Sequence, residues 1–229
     1  MTTNEPAPES AAASWREQAV ARSLDSARVR AESRVQRFID AALDLLSDSA
    51  PGEDFTVQDV VEKSGQSLRS FYQYFGGKQE LLLALFEESV RSTAAELRDR
   101  IDAEKNPRER LHRFVVEYYA LCRPASKKSG KKRSSPLALA DFAQQLMTAN
   151  PDEATRAFAP LVSVFEEVYE EAVTAGAVRK GLNRHRVAGV VLEAIMFHSF
   201  SRTIGGSAGE ASGDPAEELW DLLLHGIGG

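Results

Sequence analysis

The stretch TVQDVVEKSGQSLRSFYQYFGGK, residues 56–78, predicts two short helices joined by a tight turn. Thr56 is a favourable N-cap residue, and Asp59 stands three positions later, where a capping box places its acid. Gly65 predicts the end of the first helix, because glycine adopts the left-handed conformation found after many helices. Ser67 is a suitable N-cap for the second helix. Two helices joined by a short turn containing glycine are typical of a helix-turn-helix.

The second helix of this unit has a polar start and an aromatic interior. We expect Leu68, Arg69 and Ser70 to point outward, while Phe71 and Phe75 face the core. In a helix-turn-helix the second helix enters the major groove of DNA, where side chains in its first turn contact base edges. The stretch therefore predicts a DNA-binding unit.

The residues around this stretch resemble the TetR family of bacterial one-component regulators. That family has an amphipathic helix, a two-helix reader, a Tyr-x-(His/Tyr)-Phe run, a lysine and a leucine-rich helix. The matching segments are 34–47, 56–74, 72–75, Lys78 and 81–83. The resemblance covers about residues 33–90 and is architectural beyond them.

Two positions depart from the family pattern. Gln66 stands where a small apolar residue is usual, and Arg69 where a small residue is frequent. We expect Gln66 to affect how the turn packs, and Arg69 to change which bases are contacted.

The resemblance implies an all-α protein in two parts. We expect a flexible basic extension at 1–29, a three-helix DNA-binding domain at 30–76, and a helical effector and dimerisation domain at 77–229. It implies base contacts from the first turn of the second helix and phosphate contacts from its rim. The DNA-contacting residues expected on this basis are Thr56, Ser67, Leu68, Arg69, Ser70, Tyr72, Tyr74 and Lys78.

Length and charge fit this reading. A chain of 229 residues suffices for one or two domains with a substantial core. The net charge of −6 lies in residues 150–229, which hold twelve acids and six bases, whereas residues 1–149 are neutral. Local charge rather than the total attracts phosphate, so the acidic total does not exclude DNA.

The N-terminal region leaves two interpretations open. Residues 1–14 have a composition typical of disorder, and residues 15–30 predict either a frayed helix or a flexible arm. Arg28, Arg30 and Arg34 would reach phosphates or a minor groove if this region is a DNA arm. They would be a solvated surface otherwise.

Helical periodicity continues to the C-terminus. We expect helices at about 34–47, 78–104, 107–121, 137–148, 151–173, 184–201 and 215–225. Asn150 and Pro151 have the pattern of an N-cap and first helical residue. The basic stretch 123–136 predicts a loop, read either as a solvated linker or as a second nucleic-acid contact.

No pattern predicts catalysis. The four histidines are scattered, and the sequence has no metal-binding HExxH, no P-loop and no cysteine cluster. Cys122 is the single cysteine, which excludes an internal disulfide and fits a reducing cytoplasm. No apolar run is long enough to span a membrane, and no secretory signal begins the chain. We therefore expect a cytoplasmic protein that is not an enzyme and has no cofactor or metal.

The family resemblance implies a small-molecule effector site inside the C-terminal bundle. Each aromatic or methionine residue there is equally explained as ordinary core. The candidate lining residues are Tyr118, Tyr119, Phe142, Met147, Phe165, Met196, Phe197 and His198.

The resemblance also implies a homodimer formed by the last two helices. These helices carry more apolar surface than one edge of a monomer needs. The expected interface residues are Ala188, Val191, Ile195, Leu219 and Leu223.

The sequence thus predicts a DNA-binding transcriptional regulator, a repressor released from its operator by a small, largely apolar ligand. The alternative is a helical-bundle enzyme or apolar-ligand carrier without DNA binding. That alternative leaves the spacing of Gly65, Ser67 and Lys78 unexplained.

Overall fold

The computed structural model describes residues 15–48, 54–122, 136–204 and 213–227. All regular secondary structure in these ranges is α-helical, which confirms the predicted all-α class. The helices are α1 Trp15–Asp48, α2 Val57–Ser64, α3 Leu68–Tyr74, α4 Lys78–Ile101, α5 Pro107–Cys122, α6 Pro136–Ala149, α7 Pro151–Thr174, α8 Arg184–Ile204 and α9 Pro215–Ile227. The expected disorder of 1–14 and nearly all of the basic stretch 123–136 lie outside the described residues.

Helix α1 is longer than the pattern of buried residues predicts. It forms one continuous helix from Trp15 to Asp48, so the interpretation of 15–30 as a flexible arm is wrong for the described residues. Neither glycine nor proline interrupts this range, which removes the usual reasons for a helix to stop. Its first half is exposed, with Trp15 at 72% and Leu24 at 65% of their full accessibility.

The N-terminal core is built around aromatic contacts between helices α1 and α3. The Phe38 ring meets the Phe71 ring edge-on at 5.4 Å and lies 6.1 Å from that of Phe75. Phe38 and Phe71 are fully buried. This core holds α3 in place from beneath, so its opposite face is left to solvent.

Helix α4 belongs to two hydrophobic cores. Leu81 and Leu85 pack into the N-terminal core, together with Leu139 of α6. Later residues of α4, from Phe86 to Ile101, pack into the C-terminal core. The domain boundary expected between residues 76 and 77 therefore lies before Leu81 and Leu85, which complete the N-terminal core.

The C-terminal part is a bundle in which α7 contacts α4, α5, α6 and α8. Phe165 is fully buried at its centre, 5.4 Å from the ring of Phe114. Helix α7 begins at Pro151 as predicted, although the Asn150 side chain makes no capping hydrogen bond. Among the described residues, no helix combines the length and hydrophobicity that a membrane span requires.

Candidate functional site

A complete capping box fixes the start of α2. The Thr56 backbone N–H donates to Asp59 Oδ2 over 2.7 Å, and the Asp59 backbone N–H donates to Thr56 Oγ1 over 3.2 Å. The Thr56 hydroxyl also donates to Asp59 Oδ2 over 2.8 Å. These hydrogen bonds, the backbone one first, lower the pKa of the Asp59 carboxyl. The Thr56 hydroxyl is therefore already hydrogen-bonded within the cap. Thr56 is nevertheless exposed at the start of α2, where a phosphate could approach it.

The turn between α2 and α3 requires glycine. Gly65 has φ 64° and ψ 24°, in the left-handed region where a side chain is strained. Its N–H donates to the Glu62 carbonyl over 3.2 Å, and the N–H of Gln66 donates to the Val61 carbonyl over 3.3 Å. The predicted helix end is confirmed. Because the turn is this tight, α3 begins after only three intervening residues, 65–67.

Helix α3 begins at a serine cap and presents one face to solvent. Ser67 Oγ accepts a hydrogen bond from the Ser70 N–H over 3.1 Å, as its predicted capping role requires. On the outer face, Leu68 is 43% and Tyr72 is 57% exposed, and Arg69 is exposed between them. These three side chains form one solvent-facing surface on α3.

Two residues of α3 differ from expectation. The Ser70 hydroxyl is buried and has no hydrogen-bond partner in the described part of the chain, so it does not point outward with Arg69. Gln73 is exposed on the outer face, one turn after Arg69, and sequence reasoning missed it. Helical spacing from Arg69 would have identified it, since positions four apart share a face.

Lys78 and Tyr74 lie at the rim of this surface, and Lys78 is not free. Its ammonium group pairs with the carboxylate of Asp54 and lies 4.5 Å from the centre of the Phe55 ring. Tyr74 is half-buried against the N-terminal core. A phosphate contact by Lys78 therefore requires that it exchange Asp54 for the phosphate.

The arginines of α1 are exposed along its surface. Arg28 makes ion pairs of 3.9 Å with Asp25 and 3.5 Å with Glu32. Arg30 and Arg34, also exposed, are spaced by one helical turn. The predicted basic extension is thus carried on a helix rather than on a flexible arm.

A first cavity, of about 530 Å³, lies within the C-terminal bundle between α5, α6, α7 and α8, and we call it the bundle cavity. Of the eight candidate ligand residues, Tyr118, Met147 and Met196 line it. The remaining lining residues are Pro151, Ala154, Thr155, Phe158, Ala159, Val162, Ser163, Glu166, His185, Gly189, Leu192 and Glu193.

The other five candidates lie elsewhere. Tyr119, Phe142 and Phe165 are buried in the core and line neither this cavity nor the next. Phe197 is 70% exposed on the outer face of α8. His198 lies beside the Tyr119 ring at 5.7 Å, outside both cavities.

A second cavity, of about 380 Å³, lies where the N-terminal unit meets the bundle, and we call it the junction cavity. Gln36, Ile39 and Leu43 of α1 form one side. A row of α4 residues that includes Ser89 and Thr93 forms another. Sequence reasoning missed this cavity, because its walls come from helices distant in the chain.

The predicted dimer residues on α8 face inward. Ala188, Val191 and Ile195 are at most 2% exposed and belong to the core of the single chain. Among the described side chains of α8 and α9, the large exposed apolar ones are Val190 at 65%, Phe197 at 70% and Leu222 at 70%. The exposed apolar face of α8 is therefore rotated from the face that carries the predicted interface residues. Leu219 is buried, whereas Leu223 is half-buried.

Catalytic and redox groups gain no support from the geometry. No cluster of histidine, cysteine, aspartate and glutamate suited to a metal ion occurs among the described residues. Burial raises the pKa of the Cys122 thiol to about 12, against the opposing effect of its hydrogen bond with Tyr118. Such a thiol is protonated at neutral pH and is a poor nucleophile.

Comparison with solved structures identifies the fold. FadR from Bacillus subtilis, solved in complex with stearoyl-CoA, has 17% identity and a TM-score of 0.62 over 84% of this chain and 98% of its own. FadR from Bacillus halodurans, a fatty acid degradation regulator, has 16% identity and a TM-score of 0.62 over 83% and 98%. Reduced NemR from E. coli has 14% identity and a TM-score of 0.60 over 85% and 97%.

Sequence comparison bears on the N-terminal unit. Residues 38–85 match the profile described as bacterial regulatory proteins, tetR family. No curated protein matches the chain in sequence. The matched segment runs from Phe38 of the aromatic core to Leu85, the α4 residue that completes it. The N-terminal helix-turn-helix unit is therefore that of the tetR family of bacterial regulatory proteins, and the helical C-terminal part has the same fold as those solved regulators.

Proposed function

We propose that this protein is a sequence-specific DNA-binding repressor that leaves its operator when a small, largely apolar ligand binds the C-terminal part. One observation carries the DNA-binding half of the proposal. The outer face of α3, with Leu68, Arg69, Tyr72 and Gln73, is exposed while Phe71 anchors the helix from below. A rigidly held, solvent-facing helix after a tight turn is what major-groove reading requires.

In this proposal the contacts divide into two kinds. Arg69 reads a base, since a guanidinium donates two parallel hydrogen bonds to guanine. Tyr72, Tyr74, Lys78 and the start of α2 at Thr56 hold phosphates and set the register of the helix. Ser67 stays at the cap of α3, and the buried hydroxyl of Ser70 is assigned no base.

Arg30 and Arg34 extend the positive surface along α1. They supply sequence-independent attraction to the DNA backbone, which weakens with salt. Arg28 contributes less, because two acids already neutralise it.

The ligand half of the proposal is supported by the two cavities. Cavities of about 530 Å³ and 380 Å³ fall in the usual range for small-molecule sites. Their walls are mainly apolar, with residues such as Leu161, Val162 and Leu192. FadR from Bacillus subtilis has stearoyl-CoA bound in its solved structure, so this fold accommodates a long apolar group in at least one case.

We further propose that the protein acts as a homodimer in the cytoplasm. Val190, Phe197 and Leu222 are exposed apolar side chains on the described parts of the last two helices, and a second copy would cover them. A twofold dimer would place two α3 helices against successive major grooves, ~34 Å apart for half-sites one turn apart.

The test is selection of binding sites from a random DNA library, followed by fluorescence anisotropy on the selected sequence. The expected result is a palindromic site bound far more tightly than a scrambled control. Arg69→Ala should lose this preference while retaining its circular dichroism spectrum. A promoter carrying the selected site upstream of a reporter then distinguishes repression from activation. Failure to enrich any sequence would favour the alternative of an apolar-ligand carrier or enzyme built on the same bundle.

A further inference from the structure

The bundle and junction cavities share a wall. Tyr118, Phe158 and Met196 line both of them, and among the described residues these three side chains are what the two linings have in common. Met196 is unbranched and adapts to new surroundings by rotamer changes. Phe158 is half-buried, with its ring edge-on to that of Phe86 at 5.1 Å. These three side chains therefore separate the two cavities and form the partition between them.

The two cavities differ in what they touch. The junction cavity is bounded by Gln36, Ile39 and Leu43 of α1, the helix whose Phe38 packs on Phe71 of the reading helix. None of the described α1 side chains lines the bundle cavity. A ligand confined to the bundle cavity therefore makes no direct contact with the DNA-binding unit, whereas one that crosses the partition does.

Acidic side chains line both cavities. Glu88 and Glu96 line the junction cavity, Glu166 and Glu193 line the bundle cavity together with His185, and no lysine or arginine occurs among the described residues of either lining. Glu88, Glu96 and Glu166 are each paired with an arginine, at 2.5 Å, 2.5 Å and 3.5 Å respectively.

Glu193 differs from the other three. It is exposed at the bundle cavity and has no ion pair within the described residues. An anionic headgroup here would meet an uncompensated carboxylate, while a cationic one would be attracted.

We propose that the two cavities are lobes of one site for an elongated lipophilic cation, with its charge beside Glu193 and its apolar chain crossing the partition to α1. This rests on the proposed function and adds the ligand's charge and its minimum length. Binding of the ligand and release of the operator DNA can then be measured separately. A short cation fills the bundle lobe and binds, but only a chain that reaches Ile39 and Leu43 disfavours the DNA-bound arrangement. A ligand shifts the equilibrium only through contacts that differ between the two states.

The experiment uses the full chain and alkyltrimethylammonium ions from octyl to hexadecyl, each below its micelle concentration. Matched alkyl sulfates are the control for charge. Affinity is measured by calorimetry, and release of the selected operator by anisotropy. Affinity for the cations should rise about fourfold per added methylene. Operator release at saturation should be absent for octyl and complete for the longest chains.

Two pairs of variants locate the groups responsible. Glu193→Gln should weaken the cations about two- to fivefold and strengthen the sulfates, whereas Glu170→Gln, whose side chain lines neither cavity, should change neither. Ser89→Trp fills the junction lobe and should abolish release by long chains while sparing octyl binding. Ser163→Trp fills the bundle lobe and should weaken every chain length.

Three results would overturn the proposal: sulfates binding as tightly as the cations, octyl releasing DNA as fully as hexadecyl, or Ser89→Trp responding like the unaltered protein. Circular dichroism and operator binding without ligand show whether each variant is folded. If the unaltered protein binds no selected DNA, the proposed function fails. The calorimetric comparison of cations and sulfates and the Glu193 variant would then still decide the charge of the ligand.

Discussion

Lys78 and Asp54 form an ion pair across the base of the DNA-binding unit, with the Lys78 ammonium 4.5 Å from the centre of the Phe55 ring. The pair joins the segment before α2 to the first residue of α4. The Lys78 side chain is 23% exposed, whereas that of Asp54 is 81% exposed. In the proposed DNA complex, Asp54 is the partner that a phosphate would displace from the Lys78 ammonium group.

Removing the competitor should strengthen DNA binding. Asp54→Asn is expected to raise affinity for cognate and random DNA alike by a few-fold, because Lys78 no longer exchanges partners. Asp48→Asn, which removes the acid 3.0 Å from Lys63, is the matched control for net charge. Equal gains from both variants, measured by anisotropy at several salt concentrations, would mean that only total charge matters.

Lys78→Ala should have the opposite effect. Affinity should fall for all sequences, and the slope of log K against log salt should become shallower by about one. An unchanged slope would remove Lys78 from the phosphate contacts and leave it a purely structural role beside Phe55.

Arg69→Ala should weaken the cognate site by about 1–3 kcal/mol and random DNA far less, since a base contact carries sequence information. Gln73→Ala tests the neighbouring position on the same exposed face. Titrations against single-base variants of the operator assign each residue to a base pair. Equal losses on cognate and random DNA would reclassify Arg69 as a phosphate contact.

The Asp59 cap should make stability depend on pH. Its pKa is lower in the folded protein than the unfolded value of about 4, so its contribution is present above that value. The contribution is lost as the pH falls through the lower, folded pKa. Asp59→Asn should therefore melt below the unaltered protein at pH 7, with the difference shrinking towards pH 3. A difference independent of pH would point to packing rather than charge.

Neighbouring valines on α8 should respond differently to the same substitution. Val190 is 65% exposed, so Val190→Glu should give a folded monomer if this face forms the dimer. Val191 is 2% exposed, so Val191→Glu should destabilise the chain by burying an unpaired charge. Light scattering and thermal melts distinguish the two outcomes. A dimeric Val190→Glu would move the interface elsewhere.

Local signals predicted the helix-turn-helix well. Thr56 with Asp59, Gly65, and Ser67 act within three residues of chain, so their roles follow from sequence alone. The full length of α1 could not be predicted from the sequence. Its first half is exposed to solvent, so it lacks the regular spacing of apolar residues by which a buried helix is recognised. Nor could the ligand residues be predicted: whether a phenylalanine lines a cavity, as Phe158 does, or faces solvent, as Phe197 does, depends on which helices surround it.

Helix α4 constrains how parts of this protein are exchanged with those of other regulators. Leu81 and Leu85 complete the core beneath the reading helix, and Leu139 of α6 joins them from the opposite half of the chain. In a chimera joined between residues 76 and 77, the DNA-binding helices of the donor would pack on three core residues that come from this chain, at positions 81, 85 and 139. Splicing after Leu85, with position 139 matched to the donor, transplants the reader with its own support. The transferable DNA-binding unit of this chain is therefore discontinuous in sequence, because Leu139 lies more than fifty positions after Leu85.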